Sequence, residues 1–163
     1  MKKTWTMVGV AMLLAGCFSV SAPVPTDWTI ETSVAGLDLG AFGTVRPASA
    51  VSRVTVRAPY DGTRLVVLRA DGSIAFDAYN MFAAKPATLL KGMADDVLGA
   101  GKPEITVLKL ALDCRDDSAR MAIVTLVLDG KVGTAAVDTA DGDYSRAFSQ
   151  AFANALAVAV KGK

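Results

Sequence analysis

The chain has 163 residues, with 17 Lys and Arg against 16 Asp and Glu, a net charge of +1 and no histidine. Near-neutrality gives the molecule as a whole no electrostatic reason to seek nucleic acid or acidic lipid. The missing histidine removes the commonest general base and metal ligand, and with it the Ser-His and Cys-His nucleophile pairs.

Lys2 and Lys3 followed by the uncharged run Trp5 to Leu14 have the layout of a bacterial export signal. The run is too short for a comfortable membrane span, which needs roughly 20 apolar residues. Leu14-Ala15-Gly16-Cys17 then resembles the lipobox of bacterial lipoproteins: a large apolar residue, two small ones and a cysteine. That resemblance implies cleavage after Gly16, so that residues 1–16 are a signal peptide and Cys17 is the first mature residue. Cys17 would carry a thioether-linked diacylglycerol and an acylated amino group, and several chains together anchor a protein firmly. Phe18 and Ser19 follow where the inner-membrane retention signal of enteric lipoproteins has Asp, so the expected site is the outer membrane, facing the periplasm. Residues 17–26, with Pro23 and Pro25, read as an extended lipidated tether. Residues 27–163 are then one domain, large enough to bury a core without disulfide staples.

Trp28 to Thr32 is a candidate first strand, and the Gly- and Ala-rich stretch 36–50 a loop. "VSRVTVR", residues 51–57, alternates and is β-branched, so it predicts a strand ended by Pro59. Arginines 46, 53, 57, 64 and 69 fall in one stretch and read as solvated strand faces. "TRLVVLRADGSIAFDAY" predicts a hairpin around Asp71-Gly72, where both central positions accept positive φ. Pro86 suits the first turn of a helix in which Leu89, Leu90, Met93, Val97 and Leu98 recur at three- and four-residue spacing, before Gly99, Gly101 and Pro103 stop it. "ITVLKLALD" and "RMAIVTLVLD" predict two central antiparallel strands joined by a loop from Cys114 to Ala119. Asp129-Gly130 marks another turn, and residues 131–137 an edge strand. Asp141 or Asp143 is placed to cap a last helix whose Tyr144, Phe148, Phe152, Leu156 and Val160 recur every four residues, a stripe read as core. The order predicts an α+β domain, a mainly antiparallel sheet covered by two amphipathic helices.

Little in this pattern points to chemistry, and no enzyme, cofactor or metal is expected. Arg115 adjoins Cys114 but cannot take its proton, so the thiol reads as inert. Asp95-Asp96 would point in different directions on a helix. Asp116-Asp117 lacks the alternating oxygen ligands and the glycine of a calcium loop. Gly99-Ala100-Gly101 closes a helix where a phosphate-binding loop would open one.

From residue 54 the sequence "VTVRAPYDGTRLVVLRADGSIAFDAYNMFAAKPATLLKGMADDVLGAG" resembles the auxiliary lipoproteins of ABC-type transport systems, the family that includes the third component of the paraquat-inducible MCE lipid transport machinery. The likeness is a strand ending near a proline, an arginine-led hairpin, an aromatic after it, and a Pro-initiated helix ending in glycine. It covers roughly residues 45 to 101, and Tyr79-Asn80-Met81-Phe82 stands where the family often has a Trp. The resemblance implies an envelope lipoprotein that works with an ABC permease and ATPase and a periplasmic MCE-type protein to move lipids or other hydrophobic cargo. On this reading Tyr60, Tyr79, Met81 and Phe82 are candidates for docking the MCE component, because aromatic and Met side chains dominate interface energies; burial of any of them in the core is the alternative. Self-association is left open. A non-enzymatic scaffold or activator of envelope assembly, such as cell-wall synthesis, and a carrier of a small apolar ligand are the other readings.

Overall fold

The computed structural model describes residues 28–37, 39–40, 53–98, 103–116, 118–139 and 142–161. The expected signal peptide, lipobox with Cys17 and tether, and most of the expected 36–50 loop, lie outside these residues, as do Gly99, Gly101 and Asp141.

The elements run β1 (Trp28–Ile30), β2 (Arg53–Val56), β3 (Arg64–Arg69), β4 (Ile74–Phe82), α1 (Pro86–Val97), β5 (Glu104–Asp116), β6 (Ala119–Leu128), β7 (Lys131–Asp138) and α2 (Tyr144–Lys161). The fold is α+β. Seven strands form one sheet in the order β1-β4-β3-β5-β6-β7, with β2 laid end to end with β3 along the same side of β5. The long pairings β3–β4, β5–β6 and β6–β7 are antiparallel. The short ones, β1–β4, β2–β5 and β3–β5, are parallel, so the sheet is mixed. The antiparallel pairs need only a tight turn, whereas the parallel ones are made across long connections such as α1.

The two Asp-Gly turns solve the reversal differently. Asp129 and Gly130 both take positive φ, +47° and +81°, the two-residue turn whose twist matches antiparallel strands. At the first hairpin only Gly72 does so, at +80°. Its N–H donates to the Arg69 carbonyl at 2.9 Å and the Arg69 N–H to the Ser73 carbonyl at 3.0 Å. This is a three-residue loop closed by a left-handed glycine, with the Asp71 carboxylate accepting from the Ser73 N–H at 2.8 Å. The expected loop after "ITVLKLALD" is shorter than its sequence implies, since β5 continues through Cys114 to Asp116. There Asp113 and Arg115 form an ion pair at 2.6 Å and Asp116 accepts from the Ser118 N–H.

One sheet face is covered by both helices. Leu112, Ala122, Val124, Leu126, Ile105 and Val107 are buried there, against Leu90, Met93 and Ala94 of α1 and Phe148, Phe152 and Leu156 of α2. Asp143 caps α2, its carboxylate accepting from the Arg146 N–H at 2.9 Å. Phe148, Phe152 and Leu156 are wholly buried, but Val160 is 47% exposed. At about 100° per residue a four-residue repeat drifts about 40° each step, so its fifth member stands some 160° around the helix from its first and has turned away from the sheet. Alanines at 147, 151, 155 and 159 are buried instead. A Cβ on Gly133 of β7 would run into the carbonyl oxygen of Ala155, so the helix backbone rests directly on the strand.

Beyond β1 the chain keeps contact with α2. The N–H groups of Glu31 and Ser33 each donate, at 3.1 Å, to the hydroxyls of Ser145 and Ser149. Two extended residues advance about 6.8 Å and four helical residues about 6 Å, so alternate amides of one match successive turns of the other.

Candidate functional site

The pairing of β3 with β4 breaks in its middle. Arg64 stands opposite Met81 and Val66 opposite Phe76, so the single residue Leu65 faces the whole segment from Asp77 to Asn80. The Asp77 carboxylate holds this bulge by accepting from the Tyr79 N–H at 2.7 Å and the Asn80 N–H at 2.8 Å. Burial works to raise the Asp77 pKa, but the two amide bonds, Asn80 and the charge of Arg120 outweigh it, and the net direction is downward. A carboxylate fixed in this way keeps its charge and shapes the chain; bulges of this kind re-aim side chains at sheet rims.

Three large side chains stand out at this rim: Ile74 is 51% exposed, Phe76 48% and Tyr79 43%. Ile74 and Phe76 lie opposite Leu68 and Val66, on the face away from the helices. The Arg64 guanidinium stacks over the Phe76 ring, 5.5 Å from its centroid. β1 pairs with β4 only at Asn80 to Phe82, so among the described residues the edge from Ile74 to Tyr79 has no strand beside it.

Of the four docking candidates, only Tyr79 is well exposed, and Met81 is half-buried. Tyr60 and Phe82 are corrected to core residues: Tyr60 is 9% exposed, while Phe82 meets Phe148 edge to face with centroids 5.5 Å apart. Phe82 ends β4 on the covered face, where the short β1 lies alongside with Ile30 as its partner. Sequence reasoning passed over Ile74 and Phe76. Their signal was the alternation Ile74, Phe76, Ala78 immediately after the turn, which sets two large apolar residues on one face.

On the helix-covered face, at the same end of the sheet, Cys114, Arg120, Asp77 and Tyr144 come together. Burial raises the Cys114 pKa, the nearby carboxylates of Asp113 and Asp77 add to this, and Arg120 opposes it. A thiol so placed stays protonated and is a poor nucleophile. The Tyr144 hydroxyl beside Arg120 raises the arginine pKa further. A hollow of about 400 Å³ beside the start of α2 is lined by Glu31, Ser33, Leu37, Asp143, Ser145 and Ser149. The Ser145 and Ser149 hydroxyls are already engaged as acceptors for the chain after β1, and the Ser33 hydroxyl accepts from the Ala35 N–H. Among the described residues no three His, Cys, Asp or Glu side chains converge on a metal-sized point, and no helix is long and apolar enough to cross a membrane.

No family model matches the chain, and no curated protein matches it. Among solved structures it is similar to protein XCC0632 from Xanthomonas campestris, described with the family DUF330. The identity is 17%, over 86% of each chain, with a TM-score of 0.51. A second solved structure, of an uncharacterized protein, shares 14% identity over 69% of this chain and 90% of that chain, with a TM-score of 0.44. The first likeness shows the fold alone.

Proposed function

We propose that this chain is a lipid-anchored envelope protein that acts as the non-catalytic auxiliary component of an ABC/MCE-type transport system. Its rim on β4, Ile74, Phe76 and Tyr79 with Arg64, is where it takes hold of the periplasmic partner. The observation that carries this is an exposed aromatic and aliphatic rim on a strand whose edge, among the described residues, has no strand beside it from Ile74 to Tyr79, next to the strand that the tether leads into. Roughly eleven residues separate Cys17 from Trp28, a reach of at most ~40 Å, so a domain held through Cys17 keeps this rim close to its membrane. An extended segment of the partner would add to the β4 edge through backbone hydrogen bonds, with Phe76 and Tyr79 filling pockets on it. The lipobox and the resemblance of residues 45 to 101 supply the transport context.

The test is crosslinking in native membranes, purification through a C-terminal tag and mass spectrometry of the adducts, with the wild type beside Phe76→Asp and Tyr79→Asp. Recovery of an MCE protein or its ABC partners from the wild type, lost in both variants, is the expected result. Recovery of wall-synthesis enzymes would move the reading to an assembly scaffold, and undiminished recovery from both variants would remove the rim from the account.

A further inference from the structure

The opposite edge of the sheet, β7, is open along its length among the described residues. The Thr139 N–H donates to the Arg120 carbonyl at 2.9 Å, one step beyond the pair Met121 and Asp138. Residues of an antiparallel strand turn their N–H and C=O alternately toward and away from a given neighbour. Odd-numbered residues from Lys131 to Thr139 therefore bond to β6, and Val132, Thr134, Ala136 and Asp138 present theirs outward. Protected edges carry a Pro, a Lys or an inward charge within the strand. Between its end residues β7 reads VGTAAV, and close contact of Gly133 with α2 holds its backbone in place.

Both flanks of this edge are apolar. Val132 is 60% exposed on the face away from the helices, and Val158 of α2 is 49% exposed. Val158 is nine residues from Ser149, about 180° around the helix. Since Ser149 faces the chain after β1, Val158 overhangs the outer side of β7.

We propose that β7 pairs with β7 of a second copy of this chain, antiparallel, about a two-fold axis through Ala135. An axis normal to the sheet keeps each side chain on its own face, so residues that meet must share parity. With the axis at Ala135, Val132 meets Asp138 and Thr134 meets Ala136, and all four outward residues of each copy join about eight backbone hydrogen bonds. With the axis at Thr134, Asp138 would meet the turn at Gly130 instead. The edge is about 27 Å long at ~3.4 Å per residue, and a helix on a sheet is roughly 20 Å thick. The patch is then about 540 Å² per copy, or ~1,100 Å² in total, above the ~800 Å² typical of adventitious contacts and just under the ~1,200 Å² of stable ones. The pair is a micromolar dimer in solution, and two copies confined to one membrane surface associate more tightly.

Sedimentation equilibrium of the full chain in detergent micelles, over about 1 to 100 μM, tests this. The wild type should show a monomer–dimer equilibrium. Ala136→Pro removes an outward N–H and nothing from the β6–β7 ladder, so it should weaken the dimer at least about tenfold with an unchanged melting temperature. Should that variant not fold, Val132→Lys, which adds the edge charge that natural sheets use, serves instead. In a Cys114→Ser background, Ala135→Cys should form a disulfide with its own copy in membranes. Monomer throughout the range, a dimer indifferent to these substitutions, or a disulfide adduct of the Ala135→Cys variant with a different protein would each overturn the proposal.

Discussion

Two glycine-to-alanine substitutions should move stability in opposite directions. At Gly133 the added methyl would meet backbone: it would sit 2.9 Å from the Ala155 carbonyl carbon and 3.0 Å from the Ala159 amide nitrogen, with the Ala155 oxygen closer still. Unstrained carbon contacts lie at about 3.5–4.0 Å, so α2 has to rise by about 1 Å, and a gap of that size forfeits a quarter to a half of a contact's dispersion energy. Phe148, Phe152 and Leu156, all wholly buried beneath this helix, share the loss. Overpacking generally costs about 1–3 kcal/mol, and because no side chain can swing aside here the upper end, about 3 kcal/mol, applies. For a domain of this size that lowers the melting temperature by roughly 10 °C. Gly92 lies exposed within α1 with nothing within 4 Å of its would-be Cβ. Alanine there should add about 0.5–1 kcal/mol through helix propensity alone. Thermal melts of the two variants beside the wild type decide the matter. A Gly133→Ala melting temperature within 2 °C or so of wild type would show that α2 does not rest on β7 as described.

Phe82→Asp buries a carboxylate against Phe148 and should abolish folding, whereas Phe76→Asp on the half-exposed rim should leave the circular dichroism spectrum intact; the two spectra compared are the check. Because its pKa is lowered in the fold, Asp77 stabilises above its unfolded value near 3.8 and loses that contribution as pH falls through the folded one. Denaturation of Asp77→Asn should therefore show its deficit at neutral pH and converge on the wild type in acid; a deficit that persists there would mean that the bulge does not depend on the charge. Cys114, raised by burial, should alkylate with iodoacetamide more slowly at pH 8 than a peptide thiol and gain rate only at higher pH. A rate equal to the peptide's would contradict that placement.

What residues a few positions apart can decide was legible without coordinates. The hairpin at Asp71-Gly72, the turn at Asp129-Gly130, the Pro86 start of α1 and the Asp143 cap follow from φ preferences and short hydrogen bonds that involve no distant partner. Burial is not local. Phe82 and Phe76 have similar sequence surroundings, yet one packs on Phe148, 66 positions away in the chain, and the other meets Arg64 at the rim. The parallel pairings, the contact of Gly133 with Ala155 and the serine ladder from α2 to the chain after β1 all join segments far apart in sequence. Periodicity fixes which residues share a face, but the face that is covered depends on which distant element arrives to cover it. Packing of the helices on the sheet made that choice, leaving Ile74, Phe76 and Tyr79 outside and drawing Tyr60 and Phe82 in.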